Sequence, residues 1–478
     1  MLYTELIEKN LDGEMAVLTD RNGDYTYVQL HKKAMGILAY MRRCGAATGD
    51  RVLIRNHNDA DTVAAILACL AGGMIFVPVS GVCSEDELTY MREDCSAFLA
   101  LDLQKEEVFE EAGWEAARDC SDKIPESAGA YILYTSGTEG KKKGVLACQR
   151  QIFFCCNGIL SRLGYRESDR VLCSLPLEFD YGLYQIFLSL LSRTRLYLIE
   201  PGVIQMIPYC LHKWEITIFP SIPSVANLLL KMHYLNREQL LCLRKITFTG
   251  EYLPVEEIKA LKAVLPGTEM IPMYGTTECK RIAVMPEGRE DKVMAGSCGL
   301  PLDGVTVYFE EGTDHGEGKL IVEGPNVMEG YWRDEEGGFG VNPKTEMRTY
   351  QTGDLIAIDE EGFLYFRGRC NGLIKSMGHR ISEMEIENLI WKIEGVIECA
   401  AVGIHDTVYG EKIGIFVFAH SEEVSGSIAN VMSQNVIYKN CYRVFMMTAP
   451  LPRNSNGKMD KGKLKGLIHE RKNNISGE

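Results

Sequence analysis

The sequence predicts an α/β protein: a large N-terminal domain of sheets layered with helices and carrying a small barrel-like piece, then a small, mobile α+β C-terminal domain. Three observations point that way. Runs rich in β-branched residues alternate with helix-period segments through the first part of the chain, short strands separated by Gly turns take over after about Gly296, and an amphipathic helix restarts the pattern beyond Arg369. The boundary is expected between Arg369 and Asn371, giving residues 1–369 and 370–478.

In chain order, RVLIR, DTVAAILACLAGG and MIFVPVS read as strand, helix, strand. The alternation returns in RVLCSLP, YGLYQIFLSLL and RLYLIE, and again in ITIFPS, VANLLLKM and KITFTG. Strands joined through covering helices pair in parallel, because the crossover returns the chain in the same direction. GVTVYFEEG, GKLIVEGP and EGFLYFRGR are short strands between Gly turns and suit an antiparallel or barrel-like arrangement. In SEMEIENLIWKIEGV, Ser382 and Glu385 have capping-box spacing, while Met384, Ile386, Leu389, Ile390 and Ile393 make one apolar face.

Composition narrows the function. A chain of 478 residues, 46% hydrophobic and 24% charged, can bury large cores. No run approaches the roughly 18 apolar residues that span a bilayer. The longest, YGLYQIFLSLL from Tyr181, stops at Ser192 and Arg193. The N-terminus MLYTELIEKNLDGE carries acids where a secretory signal needs basic residues ahead of an apolar stretch, so a cytoplasmic protein is expected. The 16 cysteines are scattered without a CxxC pair, and Cys155 and Cys156 sit in an apolar run, which predicts reduced, buried thiols. A formal charge of −15 argues against a nucleic-acid partner, whose phosphates need clustered cations.

Candidate chemistry starts at YILYTSGTEGKKKGV, from Tyr131 to Val145. The loop leaves a predicted strand and supplies Thr135, Ser136 and Thr138 as donors, Gly137 and Gly140 for close backbone approach, and Lys143 as a point charge, which are the parts of a phosphate cradle. It is not a Walker A loop, because G-x-x-x-x-G-K-[ST] is absent. Alone, it could equally be a solvated hairpin tip. Four further segments follow it: MYGTTE from Met273, YQTGDL from Tyr350, GRCNGLIKSMGHRISEMEIE from Gly368 and PRNSNGKMDK from Pro452.

These five ordered segments resemble the adenylate-forming superfamily, which holds acyl-CoA synthetases, nonribosomal-peptide adenylation domains and luciferases. The resemblance implies a carboxylate attacking the α-phosphorus of ATP, an encounter of two anions that needs positioning and positive charge more than a base. It implies that Thr135, Ser136, Gly137, Thr138, Gly140 and Lys143 hold the β- and γ-phosphates, Thr277 the α-phosphate, and Glu278 a Mg²⁺ ion. Tyr274 and Gly275, with Gly250 and Glu251 of TFTGEYLP, would border the adenine; Asp354 and Arg369 would grip the ribose hydroxyls. Lys458 would reach the carboxylate and α-phosphate oxygens, Arg380 would contact phosphate or the thiol substrate, and Asn371 would be the hinge about which the C-terminal domain alternates between two half-reactions.

The chain departs from the family pattern at Glu139, Lys142 and Gln149, which stand where Thr, Pro and His are usual. The expectation is an added negative charge beside ATP, offset by Lys142. In LPLEFDYGLYQ, Asp180 falls where amino-acid-activating members pair with an α-ammonium, although acyl-CoA and acyl-carrier ligases carry the same residue and a helix-capping role is an alternative. Tyr181, Tyr184, Thr247, Thr249, Met273, Arg281 and Ile282 would line a compact acid pocket. Arg281 could point inward to a second carboxylate, but an outward, solvated side chain is the favoured expectation. The functional expectation is an ATP-dependent ligase for a small carboxylic acid with CoA or a phosphopantetheinyl carrier protein as acceptor. A stand-alone amino-acid adenylation enzyme and an inactive nucleotide-binding paralogue are the alternatives.

Overall fold

The computed structural model describes residues 2–11, 13–104, 124–135, 142–232, 234–235, 240–310, 316–333, 337–370, 372–376, 379–406, 408–435, 437–454 and 458–475. Four sheets organise them. The 9-stranded sheet runs Leu300–Pro301, Ala283–Val284, Glu269–Tyr274, Lys245–Phe248, Ile218–Ser221, Arg170–Cys173, Arg195–Leu198, Ala16–Asp20, Gly23–Thr26. Its interior pairs are parallel and its margins antiparallel, as expected when helical crossovers feed the middle of a sheet and hairpins finish the ends. The 6-stranded sheet holds Arg51–Asn56 and Ile75–Ser80 in parallel and continues through the antiparallel pair Gly129–Thr135 and Lys143–Cys148 to the short edge strand Gly330–Tyr331.

The helix Ala60–Gly72 joins Arg51–Asn56 to Ile75–Ser80. Asp59 caps it by accepting from the Thr62 N–H, and Gly73 stops it in the left-handed region at φ 67, a conformation that costs glycine least. YGLYQIFLSLL falls within the helix Asp180–Ser192, whose residues from Tyr181 to Leu190 are buried. Its apolar circumference reflects a position inside the core. Among the described residues no helix is long and apolar enough to cross a membrane.

From Gly296 to Arg369 the strands are antiparallel, as expected. Arg348–Ile358 is central, pairing with Glu317–Glu323, Phe339–Val341 and Leu364–Arg369; among the described residues this pairing is an open path. One continuous core runs from Leu2 to Leu364, and separate apolar clusters from Ile374 onward lie against the 5-stranded sheet that holds Val396–Asp406 and Gly410–Ala419. Cys155 and Cys156 are buried and free.

The helix expected after Ser382 is present as Glu383–Trp391, with Ile386 and Ile390 buried. Its expected capping box is not. Ser382 occupies the cap position, but its hydroxyl donates to Arg367 O at 3.4 Å instead of closing the helix, and the Glu385 carboxylate accepts from the Tyr438 hydroxyl. Partners brought from other elements outcompete the local pair.

Candidate active site

The segment expected to cradle phosphate joins the antiparallel strands Gly129–Thr135 and Lys143–Cys148. Thr135 sits opposite Lys143 in register, and its hydroxyl donates to Lys143 O at 3.4 Å. Ser136, Gly137, Thr138, Glu139 and Gly140 lie outside the described residues. Lys143 is exposed, with Nζ 5.2 Å from the Tyr331 ring centroid, and the Tyr331 hydroxyl donates to Glu278 Oε1 at 2.6 Å, so cation, ring and carboxylate converge. Lys142 Nζ pairs with Glu87 at 3.0 Å, and Glu139, whose charge it was expected to offset, lies outside the described residues. Gln149 is buried and accepts from the Leu2 N–H at 3.2 Å, anchoring the N-terminal helix.

The segment after Tyr274 folds back tightly. Ile282 N–H donates to Tyr274 O at 2.9 Å, and a Cβ on Gly275 would lie 1.9 Å from Lys280 O, so no other residue fits there without moving the chain. Lys280 itself is left-handed at φ 52, a strained backbone for a long side chain. Asn326, missed in the sequence, props this turn: its Nδ2 donates to both Cys279 O and Arg281 O at 3.1 Å. Met328 N–H donates to Glu278 O at 2.8 Å, and Thr277 is half-buried in the same turn.

Asp354 and Arg369 are register partners on adjacent strands. The Tyr274 hydroxyl donates to Asp354 Oδ2 at 2.7 Å. Arg369 Nε lies 3.2 Å from Oδ1, yet Oδ1 is buried without an aligned hydrogen bond among the described residues; the contact is a charge pairing with poor donor geometry. Burial raises the Asp354 carboxyl above its usual range, while Arg369 and Tyr274 oppose that. An orphaned carboxylate oxygen of this kind suits a hydroxyl donor.

The acid-side residues are buried together, and two expectations are overturned. Asp180 does not cap its helix: it is the first helical residue, and Phe179 holds the cap position with no side-chain bond. Instead, Lys280 Nζ donates to Asp180 O at 2.7 Å and lies 3.2 Å from Oδ2, with the Tyr184 ring centroid 4.0 Å away. Arg281 does not reach solvent either. It is 2% exposed, its Nη1 donates to Thr249 Oγ1 at 2.6 Å, its guanidinium carbon lies 5.4 Å from the Tyr181 ring centroid, and its Nε is buried without a partner among the described residues. Anion, aromatic faces and hydroxyl recover part of the desolvation cost that made solvent the expected choice. Tyr181 is held by Thr247 and Tyr184 contacts Tyr131, while Met273 and Ile282 are buried in neighbouring strand and turn.

Burial lowers the Lys280 ammonium to about 8, with Asp180 opposing the shift. Burial pushes the Asp180 carboxyl upward, but Lys280, Arg281 and Lys458 outweigh it and leave it below its ordinary value.

Lys458 reaches this cluster from the C-terminal part of the chain, with Nζ 4.7 Å from the Phe179 ring centroid. Gly250, left-handed at φ 92, makes the approach possible: a Cβ there would stand 3.2 Å from Lys458 Cε. Glu251 binds the two sides together, accepting from Ser224 N–H at 3.0 Å and Met459 N–H at 3.1 Å. Burial lowers the Lys458 ammonium, opposed by Asp180 and Glu251. Arg380 lies on the strand His379–Ser382 opposite Lys375; its side chain and Asn371 are outside the described residues.

Phe179, Lys280, Asn326, Tyr331 and Met459 are the site residues that sequence reading missed. The one signal available was the adjacency of Lys280 to Glu278 and Arg281. A cavity of 440 Å³ lined by Leu2, Gln149, Phe153 and Phe154 shares no residue with this cluster, and its wall includes no comparable set of converging charges.

Residues 8–332 match the family of AMP-binding enzymes. The chain is 26% identical over 478 residues to the 2-succinylbenzoate–CoA ligase of Bacillus subtilis, covering 95% of this chain and 96% of that one. It is also 26% identical over 481 residues to the L-proline–[L-prolyl-carrier protein] ligase of Pseudomonas fluorescens, covering 93% and 94%. The crystal structure of ATP-bound MatB from Rhodopseudomonas palustris superposes with a TM-score of 0.86 at 22% identity, covering 98% of each chain, which establishes a shared fold. With two-thirds of its length matched and the same architecture throughout, this chain belongs to the AMP-binding enzyme family.

Proposed function

We propose that the chain is an AMP-forming acid–thiol ligase, which joins a small carboxylic acid to ATP as an acyl-adenylate and passes the acyl group to the thiol of CoA or of a phosphopantetheinyl carrier protein. The observation that carries this is Lys458, whose ammonium lies in the cleft between Phe179, Gly250 and the charges around Asp180, facing the turn that holds Thr277 and Glu278. The relatives named for a CoA ligase and a carrier-protein ligase support both classes of acceptor.

In this reading ATP lies with its adenine against Tyr274, Gly275, Gly250 and Glu251. Its ribose diol donates to Asp354, whose Oδ1 has no aligned donor of its own, with Arg369 alongside. Thr277 meets the α-phosphate, and the Thr135 to Lys143 hairpin meets the outer phosphates. Glu278, oriented by Tyr331, is the carboxylate that would hold Mg²⁺ together with phosphate oxygens. When bound, Mg²⁺ would supply positive charge to offset that of the phosphates.

The acid's carboxylate oxygen forms a bond to the α-phosphorus as the bond to the bridging oxygen breaks and pyrophosphate leaves. No proton moves; the Lys458 ammonium stabilises the charge gathered on the carboxylate and α-phosphate oxygens. In the second step the thiol gives up its proton to solvent, sulfur bonds to the acyl carbon, and the carbon–oxygen bond to AMP breaks, AMP leaving with the electron pair. Lys458 must withdraw first, and residues 370–478 turning about Asn371 as a lid would do this, replacing the lysine with a path for the thiol. Arg380 is assigned to that second arrangement.

The Asp180–Lys280 pair favours an acid without a free amine over an amino acid, because the carboxylate that would meet an α-ammonium already has a cation beside it. ATP–pyrophosphate exchange over a panel of acids tests the whole reading. Exchange with at least one acid is expected, and none with any acid would assign the chain to nucleotide binding alone.

A further inference from the structure

We propose that the acid activated here carries a second anionic group, seated against Arg281 and Lys280 at the floor of the pocket. This rests on the ligase reading above and goes beyond it by naming the substrate class.

The charges at the pocket floor do not balance. One carboxylate, Asp180, faces two buried cations, Lys280 at 1% exposure and Arg281 at 2%, while the third cation acting on it, Lys458, has Glu251 as a second anion. The other titratable groups that face Arg281 are Tyr181, Tyr184 and Cys155, all pushed upward by burial and so neutral at ordinary pH. One positive charge is left over in a site shielded from solvent. An uncompensated buried charge costs several kcal/mol, and a second anion from the substrate would remove that cost.

The donor geometry agrees with the charge. Lys280 is committed to Asp180, through its backbone oxygen at 2.7 Å and Oδ2 at 3.2 Å. Arg281 is committed at one end only, to Thr249 Oγ1, and its buried Nε has no partner among the described residues. A guanidinium with an unused edge accepts a planar carboxylate side-on. Thr249 adjoins Gly250, against which Lys458 packs, so the reacting carboxylate would lie under Lys458 and the distal anion beyond it at Arg281. Lys458 against Gly250 and Arg281 on Thr249 set a cation on each of two adjacent residues, which matches an acid with two anionic ends.

The proposal is tested by ATP–pyrophosphate exchange with malonate, succinate, glutarate, L-aspartate and L-glutamate, against acetate, propionate, butyrate, L-alanine and L-proline. The expected result is that the best diacid exceeds its matched monoacid by about 10- to 100-fold in kcat/KM, the range for one buried charge-assisted contact. Success with plain diacids and not with aspartate or glutamate places Lys280 as the fixed partner of Asp180; the reverse shows that an ammonium displaces it. Either supports a second anion. Monoacids or neutral amino acids exchanging as well as any diacid would overturn it.

Arg281→Leu should shrink the diacid-to-monoacid ratio by a similar factor, with Arg281→Lys retaining part of it; an unchanged ratio in Arg281→Leu also overturns the proposal. If the variants do not fold, as judged by lost heat of ATP binding, the wild-type panel decides alone. Calorimetry with the same diacids in the presence of AMP separates the two readings. Diacid binding without any exchange would sink the ligase reading and leave this one standing, whereas neither binding nor exchange sinks both.

Discussion

Replacing Lys458 with Ala removes a cation that the C-terminal part of the chain brings to the Asp180 cluster. The magnitude follows from where the ammonium sits. It is held in a partly dry site, 4.7 Å from the Phe179 ring centroid, and in the resting protein its charge is shared with Asp180 and Glu251. A unit charge pair at about 4 Å is worth about 4 kcal/mol at an effective dielectric near 20. Only the part gained between ground and transition state accelerates the step, so the expected loss is about 10²- to 10³-fold in adenylation, the usual cost of one preorganised electrostatic contact. The assay is ATP–pyrophosphate exchange with the best acid of the panel, beside single-turnover thioester formation from supplied acyl-adenylate. Exchange should collapse while thioester formation changes far less. Equal losses in both half-reactions, with an unchanged melting temperature, would refute the role given to this lysine.

Asp354→Asn should raise KM for ATP by about 10- to 100-fold with a smaller change in kcat, since a charged acceptor for two hydroxyls is worth about 1.5–3 kcal/mol; an unaltered KM would remove Asp354 from the ribose. Gly275→Ala puts a methyl 1.9 Å from Lys280 O and should lower stability by about 1–3 kcal/mol in urea titrations, with no loss meaning that the turn is looser than described. Lys280, held near 8 by burial, releases its proton in the folded chain before the unfolded chain does, so its contribution to stability rises as pH climbs from about 8 towards the ordinary lysine range. Wild type should therefore gain on Lys280→Met across that interval, by at most about 1.4 kcal/mol per pH unit, and parallel stability curves would refute the assignment.

Part of the site was legible because it is local. The strand before Thr135 was read from hydropathy, whereas Asp354 and Arg369 were picked out only through the family resemblance, and that they face each other across adjacent strands was not anticipated. The partners of isolated charges were not legible. Ser382 was expected to cap a helix and turned to Arg367, and Arg281 was expected in water and lies against the Tyr181 ring.

By itself the sequence determined the alternation of strands and helices and the run that becomes the buried helix Asp180–Ser192, because hydropathy period is a property of neighbouring residues, while the class of chemistry came from the resemblance of its five motif segments to a known family. Only the tertiary structure decided that Asp180 meets Lys280, 100 positions away, and that Lys458 enters a cleft built by residues far earlier in the chain. The physical reason is desolvation. Whether a charge can be buried depends on the opposite charge and aromatic faces that packing brings to it, and these lie far away along the sequence.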